Sequence, residues 1–210
     1  IYMDQACAHQ PCYDPDHGHP SGGGDSWIQG FHALSEDIRC RCRREAPVVL
    51  AGEGCGEAWI PYLDLMLALQ VSQERYSSPA DPWEVIPFFH AVYHPYAVTY
   101  GNYSSLVMPP YDELWPAEFA PAEPLALLDR KFSRQFYLEQ ARTFVWGQQP
   151  TVANFLPILL EQRAEEMDYV MRLARVRSLV LKYLLHGEFL RPPRLNVPEV
   201  TSDFSRLSIY

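Results

Sequence analysis

Two short apolar runs, Ile1-Tyr2-Met3-Asp4-Gln5 and Val48-Val49-Leu50-Ala51-Gly52-Glu53-Gly54, each end in a carboxylate. The second is apolar at every position before its glycine, without the alternation of a half-exposed strand. That pattern predicts a parallel strand buried on both faces. Pro47 stops whatever helix precedes it. Gly52 and Gly54 flank Glu53 and Gly56 follows, so the backbone bends sharply where the strand ends. The first run reads as the tail of a strand of the same kind. Read together, the two place Asp4 and Glu53 at the ends of neighbouring strands.

Outward from this pair the chain reads as alternating strands and helices. Residues 26–44 carry Trp27, Ile28, Phe31, Leu34 and Ile38 at helical spacing. Arg39, Arg41, Arg43 and Arg44 near its end suit the negative end of a helix dipole. Residues 57–70 read as a short helix or turn. A strand is predicted over 84–89, running into His90-Ala91-Val92-Tyr93-His94, and an aromatic loop over about 95–120. A helix is predicted over about 125–140, and a further strand over 142–147 that ends in Gln148-Gln149-Pro150. The last helix has Asn154 as N-cap, Pro157 in its first turn and Gly187 at its end. Leu156, Leu160, Met167, Val170, Leu173, Val180 and Leu184 form one apolar face of it.

Alternation of this kind predicts an α/β protein with a parallel sheet. Long segments follow the strands and short ones precede them, as in a (β/α)₈ barrel, whose site lies at the strand C-terminal face. Such barrels take about 250 residues. The 210 residues here are therefore expected to be the C-terminal portion, about strands four to eight, of a TIM barrel, a truncated fragment whose N-terminal barrel half is missing. On this reading residues 1–190 are a partial catalytic domain, and 191–210 are the barrel end or the start of a following β domain. A doubly wound sheet is the alternative, but no glycine-rich phosphate fingerprint follows any strand.

Composition narrows the partners. Charged residues are 20% of the chain and hydrophobic residues 48%, which supports a real core rather than disorder. A net charge of −9 repels phosphate backbones and argues against nucleic acid. The longest apolar runs fall short of the ~20 residues of a membrane helix. Tyr, Phe, Trp and Pro are abundant, a composition shared with carbohydrate enzymes, whose rings stack on sugar faces, and with ordinary aromatic cores. Five cysteines, an odd number, do not read as a disulfide framework. That count and the lack of a visible signal peptide favour the cytoplasm, although a start inside a strand pattern leaves the localisation unknown.

Paired carboxylates at adjacent strand ends suit glycoside hydrolysis. In retaining enzymes the two groups lie about 5–5.5 Å apart, one a nucleophile and one an acid/base. Parallel neighbours are about 4.8 Å apart, so Asp4 and Glu53 can converge on one sugar. Each could instead be a helix cap or a salt-bridge partner. Glu57 competes with Glu53 for the acid role or binds hydroxyls. Gln5, His19, His90, Tyr93, His94, Trp146 and Gln148 are candidate substrate-binding groups, each with packing in the cleft mouth as its plainer alternative. No Gly-x-Ser-x-Gly elbow is present. Cys55, between glycines, with His90 or His94 as base, is a minor nucleophile candidate.

The loop after the first strand carries Cys7, His9, Cys12, His17 and His19, spaced C-x-H-x₂-C-x₄-H-x-H. Cys and His so grouped can bind zinc tetrahedrally, although this is no standard finger spacing. The competing reading is a polar loop whose histidines face substrate, and no cofactor is expected on that reading. Cys40 and Cys42, two apart on a helix, point away from each other.

Tyr2-Met3-Asp4-Gln5, Cys12, His17-Gly18-His19-Pro20 with Gly22-Gly23-Gly24, Gly52-Glu53-Gly54 with Glu57, and His90-Ala91-Val92-Tyr93-His94 together resemble a bacterial family of glycoside-hydrolase-like barrels known as a domain of unknown function. That family is in turn similar to endo-α-N-acetylgalactosaminidases and, more distantly, to the α-galactosidase clan. The resemblance implies Asp4 as nucleophile, at the end of the fourth barrel strand, and Glu53 as acid/base, at the end of the fifth. The 48 residues between the two acids hold the Cys/His/Gly loop, a departure that argues against inheriting galactosamine specificity. The expected function is a retaining glycosidase acting on an oligosaccharide, polysaccharide or glycoconjugate. A non-catalytic glycan-binding barrel and a zinc-supported hydrolase are the alternatives.

Overall fold

The computed structural model describes residues 1–6, 11–42, 47–68, 86–102, 104–107 and 125–198. Its sheet has four short parallel strands, β1 (Tyr2–Met3), β2 (Ala51–Glu53), β3 (Leu65–Leu67) and β4 (Val98–Tyr100). They are hydrogen-bonded in the order β1-β2-β3-β4, without reversal. Met3, Gly52, Met66 and Thr99 share one register row, and Glu53, Leu67 and Tyr100 share the next. Side chains alternate along a strand, and the two rows differ as that requires. Met66 and Thr99 are buried, whereas Glu53, Leu67 and Tyr100 are half-buried.

The buried face is covered by helix α1 (Ser26–Cys42). Phe31 from this helix joins Ala6, Leu50, Trp59, Leu63 and Met66 in one apolar cluster, with Phe31 edge-on to Trp59 at 4.9 Å. Gly52 lets Leu63 pack close: a Cβ there would lie 2.6 Å from Leu63 Cδ1, and the leucine would have to shift. Arg39 caps no carbonyl of its own helix. Its guanidinium donates to Val48 O at 3.0 Å, Tyr62 O at 2.9 Å and Asp64 Oδ2 at 2.9 Å. Asp64 Oδ2 also accepts from Leu50 N at 2.7 Å. One ion pair thus ties α1 to the entrances of β2 and β3.

Helix α2 (Phe88–Tyr93) precedes β4, and the C-terminal half is helical: α3 (Ser133–Val145), α4 (Leu159–Gln162) and α5 (Ala164–His186). Leu106, Val107, Phe136, Leu159 and Met167 form a second apolar cluster. Polar groups join it to the sheet. Asn102 Nδ2 donates to Thr143 Oγ1 at 3.1 Å and Gln140 Nε2 to Ser104 Oγ at 3.0 Å, all within the interior. Arg177 of α5 is also buried. It donates from Nε to Gln148 O and from a terminal nitrogen to Gly147 O, each at 3.0 Å.

Among the described residues, the expected C-terminal portion of a (β/α)₈ TIM barrel is not what forms. The architecture is an open, four-stranded α/β sheet beside a helical half. Two predicted strands are the reason. Of the run over 84–89, residues 84 and 85 lie outside the described residues, and Phe88 and Phe89 begin α2. The run over 142–147 is the last turn of α3, which Gly147 terminates at a φ of 79°. Thr143 continues the buried series Phe136, Glu139, Gln140 at helical spacing, so packing overrode the strand preference of Thr-Phe-Val-Trp. Two true strands went unread. β3 falls where a helix or turn was predicted, and β4 within the predicted aromatic loop. Their continuation is slight: Gln149 bridges to Tyr100 and Ala153 to Ser105, both parallel. The long last helix is also shorter than predicted. Asn154 sits at a positive φ of 52° before it, the chain breaks at Arg163 between α4 and α5, and Leu160 faces solvent.

Candidate active site

The C-terminal edge of the sheet gathers acids and phenols. Asp4 and Gln5 leave β1 opposite Glu53, the last residue of β2, because Met3 and Gly52 are register partners. Gln5 takes a positive φ of 51°. From that turn its backbone N–H donates to Glu53 Oε2 at 3.1 Å, which fixes the carboxylate against the strand that carries Asp4. Asp4 Oδ1 lies 3.4 Å from the Tyr2 hydroxyl that donates to it.

Electrostatics show how tightly these groups sit. Partial burial raises the Tyr2 phenol's pKa above its ordinary value of 10, and the charges of Glu53 and Asp4 add to the effect. Tyr100, at the end of β4, is likewise raised, by burial first, then by Cys55 and Glu53. Glu53 is therefore felt by phenols from strands to either side of β2, and both stay neutral donors over the physiological range. Tyr2, Cys55 and Tyr100 belong to this cluster and were missed as partners of the acids. The signal for Tyr100 was present: Val98-Thr99-Tyr100-Gly101 is a β-branched and aromatic run closed by glycine. Gly101, at a φ of 92°, turns the chain directly after it.

The remaining predicted groups go elsewhere. Glu57 opens a single 3₁₀ turn and accepts the Tyr93 hydroxyl, which holds the phenol of Tyr93 above its usual range. His90 and Gln148 are buried and bonded to each other at 2.6 Å. Both ring nitrogens of His94 face carbonyl oxygens, of His90 at 2.9 Å and Gly187 at 2.8 Å. His94 and Trp146 line a crevice with Gly147, Tyr183 and Phe189. Asp4 and Glu53 are not among its lining residues. His19 lies in the exposed loop between β1 and α1. There Cys12, His17 and His19 each present a ligand atom, all within 4.8 Å of one another. Cys7 and His9 lie outside the described residues.

Residues 1–104 match the model of a domain of unknown function, DUF6259. The match spans β1 to β4 and both candidate carboxylates, and ends before the helical half. A protein of Bacteroides thetaiotaomicron named "Putative glycoside hydrolase" is 28% identical to the chain over 141 residues. That alignment takes in 61% of this chain and 20% of the relative, so the chain spans about a fifth of the relative's length. The likeness is thus to a glycoside-hydrolase-like protein. No solved structure matches the chain. Among the described residues no helix is long and apolar enough to cross a membrane.

Proposed function

We propose that the chain carries the acid pair of a retaining glycoside hydrolase acting on an oligosaccharide, polysaccharide or glycoconjugate. The observation behind this is the position of Asp4 and Glu53 at the ends of adjacent, register-paired strands, with the Gln5 N–H donating to Glu53 Oε2 at 3.1 Å. The likeness to a protein named as a glycoside hydrolase supports the same reading. Asp4 attacks the anomeric carbon while Glu53 delivers its proton to the departing glycosidic oxygen. The bond from carbon to that oxygen breaks as the bond to Asp4 forms. Glu53, now a carboxylate, takes a proton from water, whose oxygen attacks the same carbon and releases Asp4. Tyr2, donating to Asp4 Oδ1, steadies the nucleophile's orientation.

The test uses the full-length protein and a panel of aryl glycosides. A fluorinated glycosyl donor should label the peptide that contains Asp4. Asp4→Ala and Glu53→Ala should each lose turnover, and added azide should restore it with activated substrates. The glycosyl azide formed should have inverted configuration with Asp4→Ala and retained configuration with Glu53→Ala. Labelling at another residue, or near-normal turnover in either variant, refutes the assignment. Tight glycan binding with no turnover or label would mark a binding module.

A further inference from the structure

We propose that Cys12, His17 and His19 form a binding site for a zinc-type transition-metal ion, which staples the loop between β1 and α1. Their ligand atoms lie within 4.8 Å of one another, and Cys12 Sγ is 3.1 Å from His17 Nδ1. Zinc bonds of about 2.3 Å to sulfur and 2.0–2.1 Å to nitrogen, at tetrahedral angles, set ligand separations of roughly 3.3–3.6 Å. The three atoms can close on one ion with small side-chain adjustments.

The surroundings of both histidines provide a second, independent observation. A metal-bound imidazole usually donates its other N–H to a carboxylate or a backbone carbonyl. His17 presents Nδ1 to the cysteine, and its Nε2 lies 3.2 Å from Asp14 Oδ2. His19 has Nδ1 at 3.0 Å from Pro20 O, which leaves Nε2 as its ligand atom. Asp14 is itself held in place, since its Oδ1 accepts from Asp16 N at 2.9 Å as the cap of the turn Pro15–His17. Gly18, at a φ of 72°, reverses the chain between the histidines and lets residues two apart converge.

The loop needs such a staple. None of residues 11–25 is buried, so no apolar core orders them. At its ends, Trp27 Nε1 donates to Ala6 O at 3.0 Å, and within it Gly22 N donates to Cys12 O at 2.6 Å. One thiolate and two imidazoles favour zinc over magnesium or calcium. The fourth tetrahedral position would take water. Cys12 is only half-buried and His17 is exposed, so the ion can enter from solvent.

The experiment uses untagged full-length protein, dialysed and titrated with zinc and with cobalt(II). We expect one zinc per chain and, with cobalt, the visible bands of a tetrahedral ion plus a thiolate charge-transfer band. Cys12→Ser should abolish the charge-transfer band, and His17→Ala and His19→Ala should abolish stoichiometric binding. Asp14→Asn, with an unchanged circular dichroism spectrum, should weaken zinc binding about 10–100-fold. Cys40→Ser and Cys42→Ser should leave binding intact. Chelation should speed proteolytic cleavage within residues 11–25. Failure to take up zinc or cobalt, or uptake that survives the Cys12, His17 and His19 substitutions, overturns the proposal.

Discussion

Protonating His90 should destabilise this protein from within. The ring is 5% exposed and lies beside Trp146 and Phe89, with centroids 5.4 Å and 6.0 Å away. Gln148 Nε2 donates to its Nε2 at 2.6 Å, a bond that requires a lone pair there, so the imidazole is neutral with its proton on Nδ1. Burial first, and the charge of His94 second, pull its pKa from 6.5 down to about 4. Below the unfolded value the unfolded chain therefore binds more protons than the folded one. The contribution to stability is complete above pH 6.5 and is lost as pH falls through about 4. At about 1.4 kcal/mol per pH unit, the whole effect is about 3–4 kcal/mol. Urea unfolding measured stepwise across this window isolates it by comparison with His90→Gln, which keeps a polar partner for Gln148 but does not titrate. The wild-type chain should lose about 3–4 kcal/mol more than the variant on acidification. If the two lose stability in parallel, or the His90 ring proton titrates near 6.5 by NMR, the reasoning is wrong.

Arg177→Lys should cost about 1–3 kcal/mol in urea unfolding, because one ammonium cannot reproduce the fork that reaches Gly147 O and Gln148 O together. Arg39→Met should lower stability by about 2 kcal/mol, since Val48 O, Tyr62 O and Asp64 lose a shared donor. Added salt should change that loss little, because two of the three partners are carbonyls. Gly52→Val should be destabilising by about 1–3 kcal/mol through overlap with Leu63, read as a lower melting temperature. Glu53→Gln should reduce kcat/KM for unactivated glycosides by about 10²–10⁴-fold; for substrates with very good leaving groups, which need no protonation, kcat/KM should hold while kcat falls, because water still lacks its base.

What could be read from the chain alone was local. Continuous apolar runs ending in Asp4 and beside Glu53 marked two strand ends, but not strands buried on both faces as such runs predict: Ile1, Tyr2 and Val49 are exposed. The repeat of Trp27, Phe31, Leu34 and Ile38 marked α1, and Cys12, His17 and His19 were already a group within eight residues. Only the tertiary structure decided the rest. β3 and β4 are three residues each, too short for periodicity to register, and they exist because β2 supplies hydrogen bonds to β3 and β3 supplies them to β4. Phe88-Phe89 and Thr143-Phe144-Val145 have strand preferences, yet they are helical because helical spacing buries His90 and Thr143 against the core. That choice separates the open sheet from the expected barrel. The meeting of Tyr2 and Tyr100 around Glu53 joins residues nearly half the chain apart. Register between strands, which no local pattern encodes, brings them to one edge.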